Sequence, residues 1–171
     1  EVSCMLEVML KVVKMFPEYQ FVIGGAPSLS EDFYRGIIGE ENVEIVFNKT
    51  YQLMQVASAA VVTSGTATLE AALLYVPEVI CYKGNQISYL IAKNLIKVKY
   101  ICLVNLIMDK PVVKELIQHD LTPENIADEL KHILTNPKKQ KALLEDYEEL
   151  RYVLGNTGAS NNAASIIVSD L

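Results

Sequence analysis

The chain has 171 residues, and its 21 Asp and Glu against 15 Lys and Arg leave a net charge of −6. Hydrophobic residues make up 51% and charged residues 21%, enough apolar side chain for one sizeable core, which excludes wholesale disorder. The acidic balance argues against general DNA or RNA binding, because neutralising a phosphate backbone takes a cationic surface.

Cys4, Cys81 and Cys102 form no C-x-x-C pair and read as reduced, buried thiols of a cytosolic protein. The most apolar stretch, Ala71 to Pro77, is bounded by Glu70 and Glu78 and falls short of the roughly 20 residues a membrane-spanning helix needs. Glu1 to Leu10 lacks the basic segment and cleavage site of a signal peptide. The chain opens directly into a helical pattern, as the continuation of something longer.

Met5, Met9, Val12 and Phe16, with Leu6 and Val13 beside them, recur at helical spacing, and Pro17-Glu18 ends that helix. Tyr19 to Ile23 reads as a short buried strand running into Gly24-Gly25. Ser28-Leu29-Ser30-Glu31 matches a capping box, so a second helix runs to about Ile38, closed by Gly39. Val43 to Phe47 is a strand, Tyr51 to Ala57 a short helix, and Ala59 to Thr63 a strand of small residues. Ser64-Gly65 turns that strand into a helix from Thr66 to Tyr75.

Val79 to Tyr82 is the next strand, a Gly84-Asn85 turn follows, and a helix covers about Ser88 to Lys97. Tyr100 to Val104 reads as the last strand, closed by Asn105. Thr122-Pro123 is an N-cap and first helical residue for a helix through Leu134. Asn136-Pro137 breaks it, a charged helix runs to about Leu154, and Ala159 to Val168 forms a final one.

Strands that are nearly continuous apolar runs, alternating with helices, predict an α/β fold with a parallel sheet covered on both faces. No repeat or internal boundary interrupts it, so residues 1–171 read as one α/β domain with a helical tail over about 122–171. In such sheets ligands sit at the carboxyl ends of the strands, here after Ile23, Thr63, Tyr82 and Val104.

Val61-Val62-Thr63-Ser64-Gly65-Thr66-Ala67-Thr68-Leu69-Glu70 is the most informative segment. The first N–H groups of the helix that starts there have no internal partner, and the helix dipole adds positive potential. Gly65 lets an anion approach the backbone, Ser64 and Thr66 add hydroxyls, and the amide of Ala67 belongs to the same turn, which outlines a phosphate site. Glu70 follows Thr66 by four residues on the same face, about 6 Å along the axis, where the ribose of a bound nucleotide would lie. The plainer alternative is a Ser N-cap and a Glu that complements the dipole.

Gly25 lies in Gly24-Gly25-Ala26, either a tight turn or a further point of close ligand approach, without the G-x-G-x-x-G spacing. Asn105 is either a turn former or a donor to a phosphate or sugar. Lys93, Lys97 and Lys99 form a solvated helix face or a contact for an anionic substrate or phospholipid surface. His119 and His132 have no zinc-ligand spacing, and Ser64 is not in a G-x-S-x-G elbow. No catalytic constellation and no metal site emerge.

Val62 to Ala72 resembles the sugar-nucleotide motif of the lipid-A-disaccharide synthase family. The similarity continues through Ser88-Tyr89-Leu90-Ile91-Ala92-Lys93, through Lys97 to Ile107, and through Pro111 to Gln118, as far as Leu154-Gly155-Asn156. The Ser-Gly-helix-Glu piece is shared with other two-domain glycosyltransferases, whereas Lys97 to Asn105 and Pro111 to Gln118 are closer to this one family. The resemblance implies the carboxyl-terminal, Rossmann-like half of a GT-B glycosyltransferase that needs no cofactor or metal. The implied reaction transfers 2,3-diacylglucosamine from UDP to 2,3-diacylglucosamine 1-phosphate with inversion, releasing UDP. By motif, Ser64, Gly65 and Thr66 would hold the diphosphate, Glu70 the ribose and Asn105 the phosphate region.

The resemblance also implies features that this chain does not carry. A Leu-Pro-Gly-Ser-Arg segment with a strand would precede Glu1, and an amino-terminal half would bind the acceptor and hold the catalytic acidic residues. The isolated chain is therefore expected to be inactive. Peripheral contact with the cytoplasmic face of the inner membrane and a homodimer through the carboxyl-terminal helices are further implications. A UDP-sugar epimerase, another GT-B transferase and a non-catalytic nucleotide-binding module remain as alternatives.

Overall fold

A computed structural model describes residues 2–63, 65–84, 99–155 and 158–169 of the chain. Helix α1 (Val2–Val13) turns Met5, Leu6, Leu10 and Val12 inward, and strand β1 (Val22–Gly25) follows. This strand takes in the Gly24-Gly25 pair expected beyond its end. Helix α2 (Glu31–Ile38) is capped by Ser30, whose hydroxyl accepts from the Phe33 N–H at 3.2 Å. Glu31 and Asp32 sit in its first turn, where negative charge complements the dipole. The cap is thus the second serine of Ser28-Leu29-Ser30-Glu31.

Strand β2 (Glu44–Phe47), helix α3 (Thr50–Val56), strand β3 (Ala60–Thr63), helix α4 (Thr66–Leu73) and strand β4 (Glu78–Tyr82) come next. Helix α5 (Leu103–Met108), strand β5 (Lys114–Ile117) and a 3₁₀ turn (Gln118–Asp120) lead into the tail. That tail consists of α6 (Pro123–Thr135), α7 (Pro137–Leu154) and α8 (Ala159–Ser169). The Thr122 hydroxyl caps α6 by accepting from the Asn125 N–H, and the Asn136 side chain caps α7 by accepting from the Lys138 and Lys139 N–H groups.

Two expectations fail between residues 100 and 117. Tyr100 to Val104 is not a strand: Cys102 is the N-cap of α5, its sulfur accepting from the Asn105 N–H at 3.5 Å. The next strand is β5, at Lys114–Ile117, beyond the point where strands were expected to stop. The predicted helix Ser88 to Lys97, its Lys93 and Lys97, and Asn85 of the predicted turn lie outside the described residues.

All strand pairings are parallel, but they form two sheets, β1-β2 and β3-β4-β5. In the larger sheet Thr63 is level with Cys81 and Cys81 with Leu116. Side chains alternate between the faces. Val79, Cys81 and Leu116 join Met5, Val12 and Phe16 of the α1 segment and Ile126, Leu130 and Ile133 of α6. Val62 and Ile80 join the opposite layer, with Met54 of α3, Ala71 and Ala72 of α4, Val104 of α5 and Leu143, Tyr147 and Leu150 of α7.

The two sheets are tied together by helices. Leu6 and Leu10 of α1 pack with Tyr34, Ile38 and Val43 against the β1-β2 sheet, while Met5 and Val12 serve the larger one. On the other face Thr50 and Leu53 of α3 lie over Gly24 in β1, and Met54 of the same helix shares a cluster with Val62 of β3. Helices α1 and α3 therefore bridge the interval between β1 and β3, where no ladder forms.

All three cysteines are free; Cys81 and Cys102 are buried as expected, whereas Cys4 is exposed. Among the described residues, no helix is long and apolar enough to cross a membrane.

Candidate functional site

The end of β3 and the start of α4 lie at the carboxyl edge of the larger sheet. Ser64, between them, lies outside the described residues. Gly65 occupies the N-cap position of α4 with φ 137 and ψ −163 and, as glycine, offers no side chain to cap the helix. A Cβ built on Gly65 would meet nothing within 4 Å. The position therefore calls for glycine through its dihedral angles, which L side chains rarely adopt.

Thr68 fixes this turn from inside. Fully buried, it donates its hydroxyl to the Gly65 carbonyl at 2.8 Å. Gly65 and Thr66 themselves are exposed, Ala67 is half-buried against the core, and Glu70 is half-buried one turn further along. The outcome is a helix start at a strand end with Gly65 and Thr66 exposed, a place where an anion gains from both the unpaired N–H groups and the dipole.

Gly25 ends β1 on its own carboxyl edge and is buried. Its ideal Cβ would come within 2.4 Å of the Phe47 ring, so packing against β2 accounts for a glycine there. Beyond it, the Ala26 N–H donates to the Tyr34 hydroxyl at 2.8 Å, which fastens the loop after β1 to α2.

Asn105 does not close a strand. It sits in the first turn of α5, 1% exposed, with its amide committed to the chain itself. Its Nδ2 donates to the Val113 carbonyl at 2.9 Å and to the Glu115 carboxylate at 3.2 Å, while its Oδ1 accepts from the Val113 N–H at 2.9 Å. Val113 immediately precedes Lys114, which is level with Val79, so this clamp grips the amino end of β5. Glu115 completes it by accepting from the Ile101 and Cys102 N–H groups. The structure thus groups Gly65, Thr66, Ala67 and Glu70 on one turn-and-helix unit and places the amide of Asn105 toward the other end of the sheet.

Sequence reasoning passed over two features of the carboxyl edge. Lys83, exposed, directly follows β4, and the Gln118 Nε2 donates to the Gly84 carbonyl at 3.2 Å. A lysine after an apolar strand is visible in the sequence; the bond to Gln118, 34 residues away, is not. Lys99, expected on a solvated face, is exposed and pairs with Asp109 at 2.9 Å.

Burial pushes the thiols of Cys81 and Cys102 up to about 12, so both stay protonated near neutrality and neither is a nucleophile there. Among the described residues, no three His, Cys, Asp or Glu side chains converge as metal ligands.

Comparison with known proteins agrees with this architecture. Residues 3–169 match the family described as lipid-A-disaccharide synthetase. A lipid-A-disaccharide synthase of Syntrophus aciditrophicus is 42% identical over 171 residues, covering 96% of this chain and 45% of the relative. Proteins of the same name from Coxiella burnetii and from an Anaeromyxobacter species are 34% and 32% identical, covering 98% and 96% of this chain and 45% and 44% of theirs. The chain therefore spans less than half the length of these relatives. A match over nearly every residue, on a parallel α/β scaffold, places the chain in the lipid-A-disaccharide synthase family.

Proposed function

We propose that this chain is the donor-binding part of a glycosyltransferase. It would transfer 2,3-diacylglucosamine from UDP to 2,3-diacylglucosamine 1-phosphate, forming the lipid A disaccharide 1-phosphate and releasing UDP. The observation that carries this reading is the α4 start: a glycine at the N-cap position, Gly65 and Thr66 exposed, Ala67 half-buried, and Glu70 one turn on. The names and coverage of the relatives support it.

In this reading the Gly65–Ala67 amides, with the Ser64 and Thr66 hydroxyls, receive the diphosphate, and the Glu70 carboxylate accepts from the ribose hydroxyls. Negative charge builds on the departing UDP as the glycosidic bond breaks, and preorganised N–H groups stabilise it most where it develops. Thr68 keeps those groups in place through Gly65. Gly25 shapes the neighbouring loop, and Asn105 serves by bracing β5 from behind rather than by touching phosphate.

The acceptor site and the base that deprotonates its hydroxyl belong to the part of the relatives this chain does not span, so the isolated chain binds UDP weakly and does not turn over. The unbridged interval between β1 and β3 supports a further strand, supplied by polypeptide ahead of α1, between two parallel edges that α1 and α3 already cover. The exposed apolar residues Tyr152, Val153, Ile166, Ile167 and Val168 on α7 and α8 support a second chain or the remainder of the protein as their cover. Contact with the cytoplasmic face of the membrane follows from the acylated substrates.

Calorimetry with UDP, uridine and inorganic phosphate tests the reading. Glu70→Ala should weaken UDP binding about tenfold, the worth of one charge-assisted contact, with the far-UV circular dichroism unchanged. Equal affinity of parent and variant removes Glu70 from the ribose; no UDP binding by the parent rejects the donor-site reading.

A further inference from the structure

The strand register extends the site beyond α4. Thr63, Cys81 and Leu116 lie on one line across the larger sheet. Lys83 lies two residues beyond Cys81 and directly after the last paired residue of β4, so it leaves the sheet on the carboxyl edge from the strand adjacent to β3. Lys83 is exposed. Among the described residues, β4 is the strand whose next residue is a lysine; Lys49, after β2 of the smaller sheet, is separated from its strand by Asn48.

The loop that carries Lys83 is held from two sides. A Cβ on Gly84 would stand 2.9 Å from the Tyr82 hydroxyl, so the backbone folds closely over that ring and has no space for a side chain without a shift. From β5, Gln118 reaches across and donates its Nε2 to the Gly84 carbonyl at 3.2 Å. Gln118 adopts φ 53 and is 8% exposed. A non-glycine residue in left-handed backbone persists where its surroundings over-determine it, and such positions cluster at functional sites. Here the left-handed turn carries a buried amide that bonds the backbone leaving β4, the strand between β3 and β5.

We infer that Lys83 is the cationic partner of the nucleotide diphosphate and that Gln118 is its positioning residue, acting through Gly84. The inference rests on the donor-site reading and adds to it the charged group that α4 lacks: the N–H groups supply partial charge, and Lys83 supplies a whole one beside them. A chain with a net charge of −6 repels UDP at long range, so a local ammonium also governs how steeply binding falls with salt.

The test is calorimetric binding of UDP, UMP and uridine to the protein at two salt concentrations, with Lys83→Met, Lys83→Arg and Gln118→Leu. Lys83→Met should weaken UDP about tenfold, UMP less and uridine not at all, and it should flatten the salt dependence. Lys83→Arg should hold UDP within about threefold of the parent, because the charge remains. Gln118→Leu should weaken UDP more than uridine while the thermal midpoint shows the variant still folded, and adding Lys83→Met to it should cost little more. A residue that merely stabilised the fold would lower all three ligands together.

UDP affinity unchanged in Lys83→Met, with UDP binding by the parent measurable, overturns the inference and leaves the donor site standing. Equal losses for UDP and uridine in Gln118→Leu overturn the positioning role. Failure of the parent to bind UDP overturns both readings.

Discussion

Glu78 opens β4 at 1% exposure, and both of its carboxylate oxygens are buried with no hydrogen-bond partner among the described residues. Burial raises its titration from 4.5 to about 9. The folded protein therefore holds a proton that the unfolded chain releases above pH 4.5, and stability falls as pH rises from about 4.5 to about 9. At about 1.4 kcal/mol per unit, the loss by pH 7 is on the order of 3 kcal/mol. That is a large part of the 5–15 kcal/mol typical of a domain.

Near it, the Tyr147 hydroxyl donates to the Val76 carbonyl at 3.2 Å. Burial pushes Tyr147 up, and Cys102 up to about 12, so neither titrates inside that window. Glu78→Met, which keeps the side chain's length without its charge, should raise stability at pH 7 by roughly 2–4 kcal/mol, and the midpoint by roughly 5–10 °C. Glu78→Gln should flatten the pH dependence with a smaller gain, because its amide stays unpaired.

Urea unfolding followed by circular dichroism at pH 5, 7 and 8.5 measures both effects. If the parent loses no more stability than Glu78→Met between pH 5 and 8.5, the carboxyl is not held neutral and the reasoning fails.

Two further substitutions separate conformation from contact. Gly65→Ala forces a Cβ onto φ 137 and should cost about 1–3 kcal/mol in urea unfolding while reducing UDP affinity. Asn105→Leu leaves the Val113 N–H and carbonyl without their partner and should destabilise by about 2–4 kcal/mol. Its UDP affinity should stay within about threefold at temperatures where it remains folded; a larger loss would return Asn105 to the ligand.

Much of this architecture was legible because local chemistry and tertiary demand coincide. Small apolar residues from Ala60 to Thr63 followed by Gly65 spell a buried strand that must turn sharply, and Thr122-Pro123 and Asn136-Pro137 carry their own caps. The region from Tyr100 to Ile117 was misread for a reason visible in the structure. Four apolar residues, Ile101 to Val104, look like a strand, yet a six-residue helix is too short to show its period and is capped by a cysteine, an uncommon capping residue.

β5 was hidden by the opposite effect. Lys114 and Glu115 break the apolar run, but the Glu115 carboxylate is consumed by three N–H donors of its own chain. Glu78 likewise bounds an apolar stretch in the sequence, and the fold buries it. Sequence shows which residues carry charge; only the fold shows which of them water reaches. The same holds at the site, where the α4 turn is contiguous and readable, whereas Gln118 meets Gly84 only through β4 and β5.

The division of the strands into a pair and a trio bears on how the molecule comes apart. With no ladder from β1 to β3, the coupling between the two groups among the described residues runs through side chains, those of α1 and α3 and of Phe21, which packs on both clusters. The pair, with fewer strands and less covering mass, is the segment that opens first under thermal agitation, ahead of the trio that carries the α4 turn.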